Sequence, residues 1–122
     1  MSTHEKLPPE RPGITHRFQV AGLKGYLTVN CYPDGPLAGR PAEVFLIVHR
    51  VGGLERGMSN ALAVMISVAL QHGVPLAKIA DKLKGMTFEP RGPTGNPDIP
   101  MAKSLADYLG RWLERRFPVC TD

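Results

Sequence analysis

Two short stretches hold most of the residues that could do chemistry. In HRVGGLERGMSN a glycine pair, Gly52 and Gly53, stands just ahead of a long apolar run, with Arg50, Arg56, Ser59 and Asn60 around it. Glycines before a helix leave backbone N–H groups open at the positive end of the helix dipole, and arginine, hydroxyl and amide side chains add charge-assisted contacts to a phosphate. The spacing is not that of a P-loop or a dinucleotide fingerprint, and such a pair also serves backbone geometry alone. In FEPRGPTGNPDIPMAKSLADYL, Phe88 to Leu109, four prolines and two glycines are packed ahead of a helical pattern. Arg91, Thr94 and Asn96 there can hydrogen-bond a base or sugar, or tie the loop down. A nucleotide or phosphate pocket is expected where the two stretches approach, lined by Gly52, Gly53, Arg56, Ser59, Asn60, Arg91, Thr94 and Asn96.

Other constellations carry less. His16 and His49, with Glu43 or Asp34, have metal-ligating types, but no H-x-x-x-H spacing joins them, and structural or surface histidines are expected across neighbouring strands. Glu55, Glu89, Asp98 and Asp107 form no recognisable acid/base pair, and Asp98 has the simpler task of capping a helix. Ser59 and Ser104 lack a G-x-S-x-G elbow. Cys31 and Cys120 form no C-x-x-C, so neither a thiolate metal site nor a redox shuttle is expected. Arg111, Arg115 and Arg116 read as a solvated face matched to a helix C-terminus rather than as a nucleic-acid surface, since no exposed aromatic ladder accompanies them.

These residues must be positioned by a modest fold. The chain has 122 residues, 43% of them apolar and 21% charged, which suits one domain with one core and excludes disordered, collagenous and coiled-coil classes. Fifteen Lys and Arg against eleven Asp and Glu give a net charge of +4, a mild bias toward anionic partners. With two cysteines, no apolar leader and no run long enough to span a bilayer, a cytoplasmic setting without membrane contact is expected.

Residues 1–13 read as a flexible arm, 14–118 as a single domain and 119–122 as a tail. Ile14, Phe18 and Val20 alternate with polar residues, as do Leu27, Val29 and Cys31, so two half-buried strands joined as a hairpin at Leu23–Lys24 are expected. EVFLIVHRV is nearly continuously apolar, as a central strand covered on both faces would be. ALAVMISVAL has Ser67 as its one polar residue and predicts a helix buried all round. Gly73 and Pro75 separate it from a second short helix carrying Leu76, Ile79 and Leu83 and ending at Gly85. A third is expected from Pro100, capped by Asp98, with Met101, Leu105, Tyr108, Leu109 and Trp112 as its apolar stripe. The sum is an α+β domain, a small antiparallel sheet of about three strands covered by about three helices.

In this order and spacing, THRFQVAGLKGYLTVNCYPDG, EVFLIVHRVGGLERGMSNALAVMISVALQHGVPL and KLKGMTFEPRGPTGNPDIPMAKSLADYLGRWL carry a resemblance. From about Leu7 to Phe117 the chain resembles the TSCPD domain found near the C-terminus of adenosylcobalamin-dependent (class II) ribonucleotide reductases. The naming motif falls on Thr94, Gly95, Asn96, Pro97 and Asp98. Some relatives carry cysteine in the middle of that motif and at the glycine turn, where a metal could be held; this chain has Asn96 and no cysteine near Gly52 and Gly53. The catalytic barrel, thiyl-forming cysteine, cobalamin site and distal cysteine pair that the resemblance implies for whole reductases have no room in 122 residues. The resemblance therefore implies a stand-alone accessory or nucleotide-responsive module in deoxyribonucleotide synthesis, not a complete enzyme and binding no cofactor of its own. Its expected partner is a separate reductase chain; a free nucleotide binder and a homo-oligomerising structural domain are the alternatives.

Overall fold

The structure, a computed structural model, describes residues 7–118. The start of the expected arm and Cys120 lie outside the described residues. The described residues form two compact units: those up to His16 with Tyr26–Val74, and Arg17–Gly25 with those from Pro75 to Pro118. The class is α+β, with one three-stranded antiparallel sheet, one two-stranded sheet and three helices. Among the described residues no helix is long and apolar enough to cross a membrane.

In the first unit lie the base of the hairpin formed by β1 (Gly13–Val20) and β2 (Leu23–Cys31), then β3 (Pro41–Val48) and α1 (Gly53–Gln71). The sheet order is β1-β2-β3, so β3 is an edge strand and β2 the central one. The continuous apolar run of β3 therefore does not mean cover on both faces: Ala42, Val44, Leu46 and Val48 are buried, while Phe45 and Ile47 stand in solvent. An edge strand leaves backbone groups without ladder partners, and here α1 takes them up. Val44 N–H donates to Ser67 Oγ at 2.8 Å, the Ser67 hydroxyl reaches Ala63 O and Val44 O at 2.9 and 3.2 Å, and Gln71 Nε2 donates to Ala42 O at 3.0 Å. The one polar residue in the apolar run is thus the contact that fixes α1 to the sheet.

α1 is not buried all round. Ala63 and Ile66 face β3 and are buried, but Leu54, Met58, Val64, Met65 and Val68 are exposed. One layer of sheet covers one side of a helix, and the described residues of this unit supply no second layer. The last residues of the expected arm are held: Pro12 O accepts from Cys31 N–H at 2.8 Å, and Arg11 Nε donates to the buried Glu43 carboxylate at 2.7 Å, which also accepts from Asn30 Nδ2.

The second unit gathers the hairpin tip, α2 (Leu76–Leu83), β4 (Gly92–Asn96), β5 (Ile99–Ala102) and α3 (Leu105–Arg116). The tip turns at Ala21–Gly22, two residues before the expected Leu23–Lys24; both have positive φ, 49° and 92°, as a tight hairpin turn requires. Ala21 N–H donates to Pro93 O at 2.9 Å, and Phe18 packs on Tyr108 with ring centroids 6.0 Å apart. α2 begins and ends as expected, behind Pro75 and ahead of Gly85 at φ 87°. The proline-rich segment is not a loop but a second hairpin, β4 with β5, with an irregularity between Pro93 and Asn96. In a two-stranded sheet each strand has a free edge, where proline's missing N–H costs nothing.

The third helix accordingly starts later than expected. Met101 belongs to β5, Asp98 lies in the hairpin turn, and Ser104 caps α3 by accepting from Asp107 N–H at 3.0 Å. α3 and α2 meet at Gly110, where an added Cβ would lie 2.9 Å from Leu83 Cβ and 3.0 Å from Ala80 O. Although alanine favours a helix over glycine by about 1 kcal/mol, overpacking decides here, and Gly110→Ala is expected to destabilise the protein by about 1–3 kcal/mol in urea unfolding. Equal or higher stability would refute this close approach.

Candidate functional site

The eight expected pocket residues fall in both units. Gly52, Gly53, Arg56, Ser59 and Asn60 belong to the first; Arg91, Thr94 and Asn96 belong to the second.

At the first group, Gly52 is the N-cap of α1 in extended conformation, with no side chain capping the helix. A Cβ on Gly52 would stand 2.8 Å from Glu55 Oε2, so the Glu55 carboxylate folds back over the glycine. The chain thereby supplies its own anion to the positive end of the helix, in the first turn where a carboxylate is favoured. Arg56 points its guanidinium back to Val51 O at 3.4 Å; Ser59 is half-buried and Asn60 exposed. This turn is built to start a helix.

Thr94 and Asn96, in the second group, spend their hydrogen bonds inside the hairpin. Thr94 is buried, donates to Ile99 O and accepts from Asn96 N–H at 3.0 Å. Asn96 Oδ1 accepts from Asp98 N–H at 2.9 Å, and its Nδ2 donates to Tyr108 Oη at 3.1 Å. Burial raises the Tyr108 pKa against the opposing effect of that bond, so the phenol stays protonated at neutral pH. Of the two readings left open for these residues, the geometry favours tying the segment down.

Arg91 does face open space. It lies beside an open cleft of about 440 Å³ that is bordered by Met101, Lys103, Asp107 and Arg111. Arg91 Nε sits 2.9 Å from Glu89 Oε2, across the cis Glu89–Pro90 peptide, and both side chains are exposed. Lys103 is exposed beyond the end of β5. Arg111, 43% exposed, is held by Asp107 at 2.8 Å. The result is three cations around one opening.

Asp107 fixes that arrangement. It is 1% exposed and its carboxylate accepts three bonds: Gly85 N–H at 2.7 Å, Lys103 N–H at 2.9 Å and Arg111 Nε at 2.8 Å. Burial pushes its pKa up, but the two backbone donors and the guanidinium outweigh it, and the group is held below the usual carboxylate range. Ser104 completes the junction, donating to Met86 O at 2.6 Å. From the residues alone Asp107 is an unassigned carboxylate and Arg111 a dipole-matched cation. Ser104 and Asp107 nevertheless carry the S-x-x-D capping signature.

His16 and His49 do not pair. β2 lies between the strands that lead to them, and His49 packs edge-on against Tyr26 at 5.6 Å instead; burial lowers the His16 pKa. Among the described residues no group of three or more His, Cys, Asp or Glu could hold a metal ion.

The model of the TSCPD domain matches residues 2–117. The chain belongs to the TSCPD domain family. Its relatives include vitamin B12-dependent ribonucleotide reductases: 44% identical over 109 residues in Rhodopirellula baltica, covering 89% of this chain and 10% of that protein; 45% over 113 residues in Streptomyces avermitilis, 93% and 11%; and 40% over 114 residues in Bradyrhizobium diazoefficiens, 93% and 9%. The TSCPD chain thus spans about a tenth of the length of these relatives. No solved structure matches it. The motif that names the family is, in this chain, the bulge and turn of the β4–β5 hairpin, with Asn96 in the middle position bonded to Tyr108.

Because the folded pKa of Asp107 lies below its unfolded value of about 3.9, its ionised form stabilises the protein fully above that value. The stabilisation is lost as pH falls through the folded pKa. Asp107→Asn, which weakens or breaks bonds to three donors, is expected to cost about 2–4 kcal/mol in urea unfolding at pH 7. The gap from wild type should narrow steadily below about pH 4. A pH-independent gap would show that the carboxylate charge is not what matters.

Proposed function

We propose that this chain serves deoxyribonucleotide synthesis in the cytoplasm as an accessory module of a vitamin B12-dependent ribonucleotide reductase, and that it holds a nucleotide by its phosphates. The observation that supports this most is the cleft beside the family's own hairpin: Arg91, Lys103 and Arg111 converge on it, in a chain matching reductases over about nine tenths of its length. Three guanidinium or ammonium groups suit a polyphosphate, and Arg111 is preoriented by its bond to Asp107, so less ordering entropy opposes binding. Met101, exposed at the cleft, offers a soft apolar surface to a base.

The catalytic step belongs, in this reading, to the reductase chain that the module serves. Alone, with adenosylcobalamin, a ribonucleotide and a dithiol, the 122-residue chain is expected to form no deoxynucleotide. Nucleoside triphosphates at millimolar concentration are expected to raise its melting temperature, since a ligand bound only by the folded state stabilises it by mass action. Calorimetric titration should show Arg91→Ala and Lys103→Ala each weakening that binding by about 1–2 kcal/mol, the range for a charge-assisted bond discounted for exposure. Unliganded stability should hardly change. Nucleotide affinity unaltered in both variants would remove the cleft from the reading, and absence of any binding by the wild type would leave the module with a docking role alone.

A further inference from the structure

α1 has two apolar faces, and β3 covers one. Ala63, Ile66, Ser67 and Leu70 look toward the sheet, all buried or half-buried. On the opposite side Leu54, Met58, Ala61, Met65 and Val68 follow one another at alternating spacings of four and three residues. Leu54 is 75% exposed, Met58 and Met65 63% each, and Val68 44%. That spacing is the seam of a two-helix pair. From Gly57 to Gln71 the helix carries no charged side chain, although a solvent-facing helix of a protein this rich in Lys and Arg would ordinarily present charges there.

We infer that this face is covered by the same face of a second copy of the chain, with the two α1 helices antiparallel about a two-fold axis. The seam is self-complementary in that direction. Setting Ala61 opposite Met65 of the second copy also sets Met58 opposite Val68 and Leu54 opposite His72. The two-fold axis then repeats each pair with the roles exchanged, as an isologous interface demands. Each layer sets a large side chain against a smaller or flatter one, and Gly57, Ala61 and Ala69 leave the backbones room to approach. Since the seam is neutral, copies that carry +4 each bring no like charges together along it. A charged partner surface would gain nothing from so neutral a face, whereas a second copy matches it in composition and length.

Light scattering on the purified full chain tests this. The wild type is expected at twice the mass of one chain at tens of micromolar, with a melting temperature that rises with protein concentration. Met58→Glu and Met65→Glu, both at exposed positions and so compatible with the fold, should each run as monomers with unchanged far-UV circular dichroism and a concentration-independent melt. A wild type of single-chain mass throughout that range overturns the proposal. So does a dimer that survives both substitutions, and so does a monomer that uses this face only when a reductase chain is added.

Discussion

A carboxylate that cannot reach water must be matched by donors, and Asp107 is matched by three drawn from separate places in the sequence: the turn after α2, the end of β5 and the next turn of its own helix. Desolvating a charge is costly, so the bonds that offset it are obligatory rather than optional. The second unit is organised around that demand. The backbone after Gly85 must pass α3 closely, the β4–β5 hairpin must end where Lys103 N–H points at the carboxylate, and Arg111 must lie along the helix. The cationic cleft is what remains at the surface once those requirements are met.

The first unit answers a different constraint. Its sheet ends at β3, and three backbone groups of that edge, Ala42 O and the N–H and O of Val44, are matched by two side chains of a helix rather than by another strand. A serine and a glutamine are enough because the helix runs beside the strand and can offer a hydroxyl and an amide at the needed separation. The same placement explains why α1 has an outer face at all: a helix engaged with an edge strand on one side turns its other side to the surroundings.

Much of this was legible in the residues. Period-two alternation located β1 and β2, and Gly73, Pro75 and Gly85 bracketed α2. Arg91, expected in a ligand pocket, borders an open cleft. What was lost has physical causes. Four prolines and two glycines read as a loop, because local propensity says nothing about whether a two-stranded sheet with free edges will accommodate them. Pro100 and Asp98 imitate a helix start about five residues too early, while the S-x-x-D pair that does cap α3 stands a few residues on. The apolar length of α1 was plain, yet periodicity cannot tell which face a neighbouring layer will cover. Lys103 and Arg111 join Arg91 only through the hairpin that brings Gly92 opposite Ala102, a pairing invisible to spacing along the chain.

The matching of β3 by Ser67 and Gln71 has a consequence for how this protein fails. Ala42 to Val48 reads AEVFLIV, a segment with high β-propensity, one charge and no proline, the composition of a cross-β nucleus. While α1 stays in place, Ala42 O and the N–H and O of Val44 are occupied by its side chains, which opposes the addition of a foreign strand there. Heating, proteolytic nicking at the Gly52–Gly53 turn or any lesion that lifts α1 uncovers the edge and the strand's apolar face in one motion. Aggregation of this chain is therefore expected to begin with the detachment of a single helix, before its sheet has lost a hydrogen bond of its own.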